Sequence, residues 1–330
     1  MTTAVPMVEL WRGPFLESVH SGHAVICDEA GQIVQAWGDP DQVILPRSSS
    51  KIIQALPLIE SGAADAFGLS VAQLALSCAS HKGAAIHTDR VQAWLGDLGL
   101  SDADLRCGTE VPRDHPARDD LIKTDSSPCQ YHNNCSGKHS GFLTLNKHLG
   151  GGPEYIDLDH PVQIAVKEAH ESVTEMDTPG FGIDGCSAPN FATTVHGLAR
   201  AMAKFASADE TTSRGQAMTR LVNAMVTYPE LVAGEGRACT ELMRAMDGRV
   251  AIKTGAEGVF IAIVPELKMG VALKISDGTT RASECAMAAI LVKLGVLDAN
   301  HPATLKRWNA PILNRRDVYT GIMRAVPGLF

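Results

Sequence analysis

The sequence predicts an α/β (α+β) fold in which both ends of the chain build an antiparallel sheet and the middle of the chain is mainly helical. Segments that alternate like strands lie at 23–37 and 250–276, whereas segments with helical spacing fill most of the chain between them. No internal repeat or low-complexity linker separates these parts. We therefore expect a single unit over residues 1–330, with a sheet part of about 1–47 and 245–330 and a helical and loop part of about 48–244.

Local patterns justify the elements in chain order. Two strand patterns, 23–27 and 32–37, surround the turn at 28–31 and predict a hairpin. A helix is expected from Ser48, because Pro46 favours an extended residue before it and apolar residues recur at helical spacing after Lys51. Helical patterns also cover 71–78, 86–98, 161–173, 189–205, 212–225 and 283–294, and strand patterns cover 250–254, 258–265 and 269–276.

Composition excludes several classes of protein. The net charge of −8 argues against a nucleic-acid-binding surface. Residues 1–10 lack the basic and apolar regions of a signal peptide, and no stretch approaches the ~18 apolar residues of a membrane span. Eight cysteines in 330 residues are too dilute for a disulfide scaffold. We therefore expect a cytoplasmic protein with reduced thiols and with neither a nucleic-acid nor a membrane partner.

Two short motifs carry the first chemical signal. Ser48 to Lys51 is an S-x-x-K motif, and Lys253-Thr254-Gly255 is a K-T-G motif. Random placement would give ~0.7 of the first and only ~0.07 of the second, so their joint presence is informative. Together with a middle serine motif they are typical of penicillin-binding proteins and class A β-lactamases, which attack amide bonds through a serine. The middle motif S-D-N is missing here, but a second serine, Ser80, lies between the two motifs in an unusual setting, Cys78-Ala79-Ser80-His81-Lys82-Gly83.

The spacing of Ser48 and Lys51 suits nucleophilic catalysis. Residues three apart on a helix face each other, so the lysine amine can reach the serine hydroxyl. A helix N-terminus favours negative charge on the serine oxygen. Lysine acts as a base only where burial or a second cation lowers its pKa, and Lys253 would be that cation. The alternative is that Ser48 caps a helix and Lys51 is a solvated residue of its first turn.

Two further segments contain cysteines in an unusual setting. Cys135-Ser136-Gly137-Lys138-His139 and Gly182-Ile183-Asp184-Gly185-Cys186 are both glycine-containing and polar. Two such cysteines could converge on a metal ion, but two thiolates are only half of an ordinary zinc set. The alternative is that both segments are tight turns in which Cys135 and Cys186 are small filler residues.

These segments occur together in one known family. The chain resembles the rhizobial-type bacterial L-asparaginases (asparaginase II family), which are related in fold to serine β-lactamases, penicillin-binding proteins and glutaminases. The resemblance spans most of the chain. It is carried, in order, by Glu17-Ser18-Val19-His20-Ser21-Gly22-His23, Arg47-Ser48-Ser49-Ser50-Lys51, Cys78-Ala79-Ser80-His81-Lys82-Gly83, Asn134-Cys135-Ser136-Gly137-Lys138-His139, Gly182-Ile183-Asp184-Gly185-Cys186 and Lys253-Thr254-Gly255-Ala256-Glu257-Gly258.

The resemblance implies an L-asparaginase that hydrolyses L-asparagine to L-aspartate and ammonia. Its two Ser-Lys pairs fall on Ser48 with Lys51 and on Ser80 with Lys253. It also implies a zinc ion that aids substrate binding and is not the hydrolytic centre. The protein ligands of this ion fall on Cys135, Lys138 and Cys186.

Two candidate substrate-binding residues complete the predicted site. The resemblance makes Asp184 a candidate for holding the substrate ammonium group. His81 is a second candidate, although its ring could equally orient the loop that carries Ser80. Ser48 is predicted to be the nucleophile because it lies at the N-terminus of a predicted helix, and Ser80 remains the alternative.

Other functions stay open at this point. The chain could be another serine amidohydrolase, acting on glutamine, a β-lactam or a D-Ala peptide. It could also be a non-catalytic sensor of a metabolite or of zinc, although a pure binder has no need of lysines that are costly to bury. The sequence does not show the oligomeric state, for which we expect a homodimer.

Overall fold

The computed structural model describes residues 3–330 and divides into two compact units. Unit 1 comprises the described part of Met1–Ser49 together with Thr193–Ser207 and Glu241–Phe330. Unit 2 comprises Ser50–Ala192 and Ala208–Thr240. Among residues 3–330, no helix combines the length and the apolar character needed to cross a membrane.

The strands lie mainly toward the two ends of the chain. They are β1 (Val5–Arg12), β2 (Phe15–Cys27), β3 (Ile33–Trp37), β4 (Val43–Ile44), β5 (Phe181–Ile183), β6 (Pro189–Phe191), β7 (Thr193–Thr194), β8 (Ala251–Thr254), β9 (Val259–Val264), β10 (Met269–Ile275), β11 (Ala310–Leu313) and β12 (Tyr319–Ala325).

The helices fill the middle of the chain and return near its end. They are α1 (Lys51–Gln54), α2 (Leu56–Glu60), α3 (Ala63–Ala66), α4 (Val71–Ser77), α5 (Ala85–Asp97), α6 (His115–Lys123), α7 (Ser136–Leu149), α8 (Pro161–Thr174), α9 (Val195–Ala206), α10 (Ser213–Thr227), α11 (Pro229–Val232), α12 (Ala238–Ala245), α13 (Thr280–Lys293) and α14 (Pro302–Leu305).

Unit 1 is built on an antiparallel sheet with the strand order β11-β12-β1-β2-β10-β9-β8, and β3 pairs with β2. Every residue of β8 and β9 is buried; β9 is entirely apolar, whereas β8 ends in Lys253 and Thr254. Helices α9 and α13 pack on the sheet. Gly270 of β10 lets α9 approach closely, since a Cβ atom there would lie 2.0 Å from the backbone N of Ala203. The predicted α/β class, with an antiparallel sheet from both chain ends, is confirmed.

Unit 2 is mainly helical and has α7 at its centre. Residues 136–146 of α7 are all buried, and α7 packs against α4, α5 and α8. Trp94 of α5 donates from Nε1 to Thr144 Oγ1 of α7 at 3.1 Å, which satisfies the indole of a fully buried ring. A Cβ atom on Gly137 would lie 2.5 Å from the backbone O of Leu76 in α4, so only glycine allows these two helices to lie this close.

The helix predicted over 189–205 is wrong at its start. Residues 189–191 form β6, which pairs with β5, and residues 193–194 form β7, which pairs with β4. The helix itself, α9, begins at Val195, because Thr194 is extended and its Oγ1 accepts from Gly197 N at 2.9 Å. Helix α9 also lies in unit 1, whereas the predicted layout placed this segment in the helical middle region.

Candidate active site

The S-x-x-K segment forms a tight turn that leads into α1. Residues 47–50 are a 3₁₀ turn in which Ser49 donates to Pro46 O from both N (3.2 Å) and Oγ (2.6 Å). Arg47 has φ of 52°, in the left-handed region that few non-glycine residues occupy. Ser48 therefore lies directly before the helix. Since α1 has only four residues, its dipole contributes little, and the assignment of Ser48 as the nucleophile depends on the motif.

The K-T-G segment ends β8 in unit 1, where Lys253 pairs with Ile261 of β9. The Lys253 side chain is buried, and its Nζ donates to Thr254 O at 2.9 Å. Gly255 lies against the turn that carries Ser48, because a Cβ atom there would be 2.5 Å from Pro46 O and 3.2 Å from Ser49 N. Unit 1 thus brings the S-x-x-K turn and the K-T-G strand together.

Lys51 lies in unit 2 among three acceptors. Its Nζ donates to Ala79 O at 2.5 Å, to Cys135 Sγ at 3.1 Å and to Ser80 Oγ at 3.4 Å. The side chain is only 2% exposed, so a charge on it would be costly without these partners. Within unit 2, Ser80 is the hydroxyl that the Lys51 amine reaches.

Ser80 is held by groups on both of its sides. Its N donates to Val232 O at 2.8 Å, and its Oγ donates to Asn134 Oδ1 at 3.2 Å. Asn134 is fixed in turn by Glu110 Oε2, which accepts from its N at 2.9 Å and its Nδ2 at 2.6 Å. The sequence predicts no role for Asn134, which is marked there only as the first residue of the segment 134–139.

Cys135, Lys138 and Cys186 converge in a buried cluster. Lys138 Nζ donates to Cys186 Sγ at 3.1 Å. Interaction with Cys186, together with burial, raises the pKa of Cys135, and interaction with Cys135 and with the Lys138 charge lowers the pKa of Cys186. Burial disfavours the ammonium form of Lys138, but the Cys186 and Cys135 sulfurs outweigh it and raise the pKa of Lys138.

Asp184 opens the turn that places Cys186 beside Lys138. The turn joins β5 to β6 and is closed by a hydrogen bond from Asp184 N to Ala188 O at 3.0 Å. Asp184 Oδ1 accepts from Gly185 N at 2.7 Å, and its charge contributes to the raised pKa of Lys138. The structure thus places Asp184 at the edge of the cluster, where its role toward substrate stays a prediction.

His81 is a structural residue of the loop that carries Ser80. Its ring is 1% exposed; Nδ1 accepts from Gly83 N at 3.1 Å, and Nε2 lies 3.0 Å from Ser136 Oγ. The ring also stacks on His87, with centroids 4.6 Å apart. Both ring nitrogens are therefore engaged inside unit 2. This geometry favours the loop-orienting alternative over the substrate contact that we predicted.

Comparison with known proteins decides the family. The family model described as L-asparaginase II matches residues 8–325, nearly the whole chain. The chain belongs to the L-asparaginase II family. No curated protein has a significant match to the chain.

Solved structures with a similar fold share little sequence with this L-asparaginase II family member. The native form of Mglu has a TM-score of 0.47 and 12% identity over 85% of this chain and 66% of that chain. A β-lactamase from Mycobacterium bovis has a TM-score of 0.46 and 12% identity, over 82% of this chain and 94% of that chain. This chain therefore spans just under two thirds of the length of the Mglu structure that it matches.

The cluster of this L-asparaginase II family member fits the zinc ion that the resemblance implies. Residues 3–330 contain no group of three or more His, Cys, Asp and Glu side chains that could hold a metal, so a site here depends on lysine as a ligand. Two sulfurs and one amine are donors that zinc accepts, and three protein ligands leave a fourth position open. All three side chains are buried, and Lys138 Nζ is already hydrogen-bonded to Cys186 Sγ, as a preformed site requires.

Proposed function

We propose that this protein is an L-asparaginase that hydrolyses L-asparagine to L-aspartate and ammonia through a serine nucleophile activated by lysine. The observation that carries the proposal is the position of Lys51 Nζ, buried and within 3.4 Å of Ser80 Oγ. This contact shows that the Lys51 amine is placed to exchange a proton with a serine hydroxyl, and Ser48 of the same motif is the nucleophile that it would activate. Family membership supports the amide substrate.

The chemistry proceeds in two halves. Ser48 attacks the side-chain amide carbon of L-asparagine, and Lys51 accepts the hydroxyl proton and delivers it to the departing ammonia. Backbone N–H groups of the turn before α1 stabilise the oxyanion. Water then hydrolyses the aspartyl ester, and its proton returns to the Ser48 oxygen through Lys51.

In this proposal the pair Ser80 and Lys253 supports the pair Ser48 and Lys51. Lys51 Nζ donates to Ser80 Oγ at 3.4 Å, so the two groups are within reach of each other for proton exchange. Ser80 is therefore suited to relay a proton to Lys51. We assign Lys253 to the same relay on the strength of its motif and its burial.

Cys135, Lys138 and Cys186 would hold the zinc ion, and Asp184 would hold the substrate ammonium group. When bound, zinc would supply a local positive charge that orients substrate. The burial of both sulfurs and the hydrogen bond from Lys138 to Cys186 support this assignment. A cytoplasmic location and a homodimer stay predictions from the sequence.

Ammonia release from L-asparagine and L-glutamine, together with ring opening of a β-lactam, tests the proposal. The purified protein should release ammonia from L-asparagine much faster than from L-glutamine and should not open the β-lactam. Ser48→Ala serves as the control, because it removes the hydroxyl and leaves the fold in place. Equal rates on asparagine and glutamine, or no release from either with zinc supplied, would contradict the proposal.

A further inference from the structure

A cavity of about 390 Å³ lies in unit 1 beside the turn that carries Ser48. Three of the segments on which the family resemblance depends each contribute one residue to its wall, namely His23, Arg47 and Glu257. The proposed reaction gives none of these three residues a role. Lys274, Ser276 and the aliphatic residues 43–45 complete most of the wall, and all of the lining residues belong to unit 1.

His23 brings a hydrogen-bond donor to this cavity. The residue is only 6% exposed, and its Nδ1 accepts from Asp39 N at 2.8 Å. The proton of the neutral ring is therefore on Nε2. Burial lowers the pKa of His23 and so favours this neutral form. Among residues 3–330, Nε2 has no hydrogen-bond partner, so a ligand in the cavity can supply the acceptor that this buried donor needs.

Lys274 places a cation directly opposite His23. The two residues are paired across β10 and β2, so their side chains lie on the same face of the sheet. Lys274 Nζ donates to Glu257 O at 2.7 Å and to Ile275 O. An ammonium group has three N–H donors, so one of them remains for a ligand. Two neighbouring side chains, one of them charged, therefore offer donors to the same cavity.

The charges of the wall favour an anionic ligand. Arg47 and Lys274 are cations, whereas Glu257 is the acid among the lining residues. The wall thus carries one net positive charge when His23 is neutral, which suits a single carboxylate held by charge-assisted hydrogen bonds. L-Asparagine carries one carboxylate, and it lies at the end of the molecule remote from the side-chain amide.

We propose that His23 and Lys274 form the subsite that binds the α-carboxylate of L-asparagine, His23 through Nε2–H and Lys274 through its ammonium group. The proposal rests on the proposed function and deepens it, because it names the groups that recognise one end of the substrate. Arg47 lines the cavity and directly precedes Ser48 in the same turn, so the subsite lies next to the nucleophile. A hydrogen bond to a charged group is typically strong enough that its loss lowers kcat/KM roughly 10- to 100-fold.

A substrate that lacks only the α-carboxylate tests the proposal. This compound is 3-aminopropanamide, and ammonia release gives kcat/KM for it and for L-asparagine. Lys274→Met should lower kcat/KM for L-asparagine roughly 10- to 100-fold and leave the value for 3-aminopropanamide within about twofold. His23→Leu should act in the same selective way, and His23→Gln, which keeps an N–H, should recover part of the loss. Lys293→Met, at an exposed lysine that ends α13, is the matched control and should change neither value.

Equal losses on both substrates in Lys274→Met would overturn the proposal, because they would reflect a changed fold or chemistry and not a lost carboxylate contact. Wild type should prefer L-asparagine by at least about 100-fold, and equal kcat/KM values for the two substrates would overturn the proposal even if no variant folds. L-Aspartate should inhibit competitively. Non-competitive inhibition that Lys274→Met abolishes would make the cavity a separate effector site and overturn the proposal. No ammonia from either substrate would contradict the proposed function and this proposal together.

Discussion

Lys51 Nζ lies 3.1 Å from Cys135 Sγ, so the predicted base and a predicted zinc ligand are hydrogen-bonded neighbours. Cys186, whose sulfur is the other one in the cluster, accepts a hydrogen bond from Lys138 Nζ instead. The two cysteines are therefore equivalent as candidate ligands but differ in their contact with the catalytic lysine. This difference allows the roles of the metal and of the lysine to be separated.

Metal removal and cysteine substitution should give different kinetic effects. Stripping zinc with a chelator, or Cys186→Ala, should raise KM more than it lowers kcat, because the metal is proposed to orient substrate. Cys135→Ala should lower kcat as well, since it also removes an acceptor of Lys51 Nζ. Steady-state kinetics with zinc analysis of each protein checks this. Identical kcat and KM for the two variants would show that the contact with Lys51 has no catalytic effect.

Ser48 and Lys51 should act as one unit. Ser48→Ala and Lys51→Met should each abolish measurable turnover, and the double variant should be little worse than either single variant, because residues of one catalytic unit are strongly non-additive. Ammonia release checks this, with thermal unfolding to confirm that each variant is folded. Loss factors that multiply in the double variant would mean that the two residues act independently.

Gly255→Ala should impair catalysis by crowding the turn that carries Ser48. The new methyl group would lie 2.5 Å from Pro46 O, which is backbone and cannot move aside cheaply. We expect a fall in kcat of at least about tenfold and a loss of stability of about 1–3 kcal/mol, as for other overpacked sites.

Gly96→Ala is the matched control for this substitution. Gly96 lies in α5 and a Cβ atom there meets nothing within 4 Å, so this change should leave kcat unaltered and stabilise the helix by up to about 1 kcal/mol. Equal kcat values in the two variants would show that the Gly255 contact does not position Ser48.

His170 should make the protein less stable in mild acid. Burial lowers its pKa to about 4, and its Nε2 lies 3.4 Å from Ala192 O. In the unfolded chain the His170 ring takes up a proton below about pH 6.5, whereas in the folded protein it does so only near pH 4. Its contribution to the free energy of unfolding is therefore full above pH 6.5 and is lost as the pH falls toward 4. His170→Gln removes the titration and keeps an N–H. Between pH 7 and pH 5, wild type should lose about 2 kcal/mol more than the variant in urea unfolding. Equal losses in both proteins would exclude His170 as the cause.

Local patterns were sufficient for much of the fold. The hairpin of β2 and β3, the start of α10 at the Thr212 cap and the three strands β8 to β10 all follow from alternation, caps and turn residues. The start of α9 did not, because Pro189 to Phe191 is apolar enough to extend a helical pattern and only pairing with β5 makes it a strand. The sequence patterns predict no strand at 5–12 or 319–325, and these two segments pair with each other from opposite ends of the chain.

The candidate site shows the same limit. Ser48, Lys51 and Lys253 belong to motifs with a fixed local spacing, so sequence alone could single them out. Asn134 carries no such spacing, and its contact with Ser80 forms only when α7 packs against α4 and the loops around it. The orientation of His81 is a related case, because its position beside Ser80 does not show that its ring points toward Ser136.

The partition of products between water and hydroxylamine tests the central claim most directly. If Ser48 forms an aspartyl ester, L-asparagine and the β-methyl ester of L-aspartate pass through the same intermediate despite their different leaving groups. At a fixed hydroxylamine concentration, the ratio of aspartyl hydroxamate to aspartate should therefore be the same for both substrates. A ratio that depends on the leaving group would contradict a common ester on a serine of this protein.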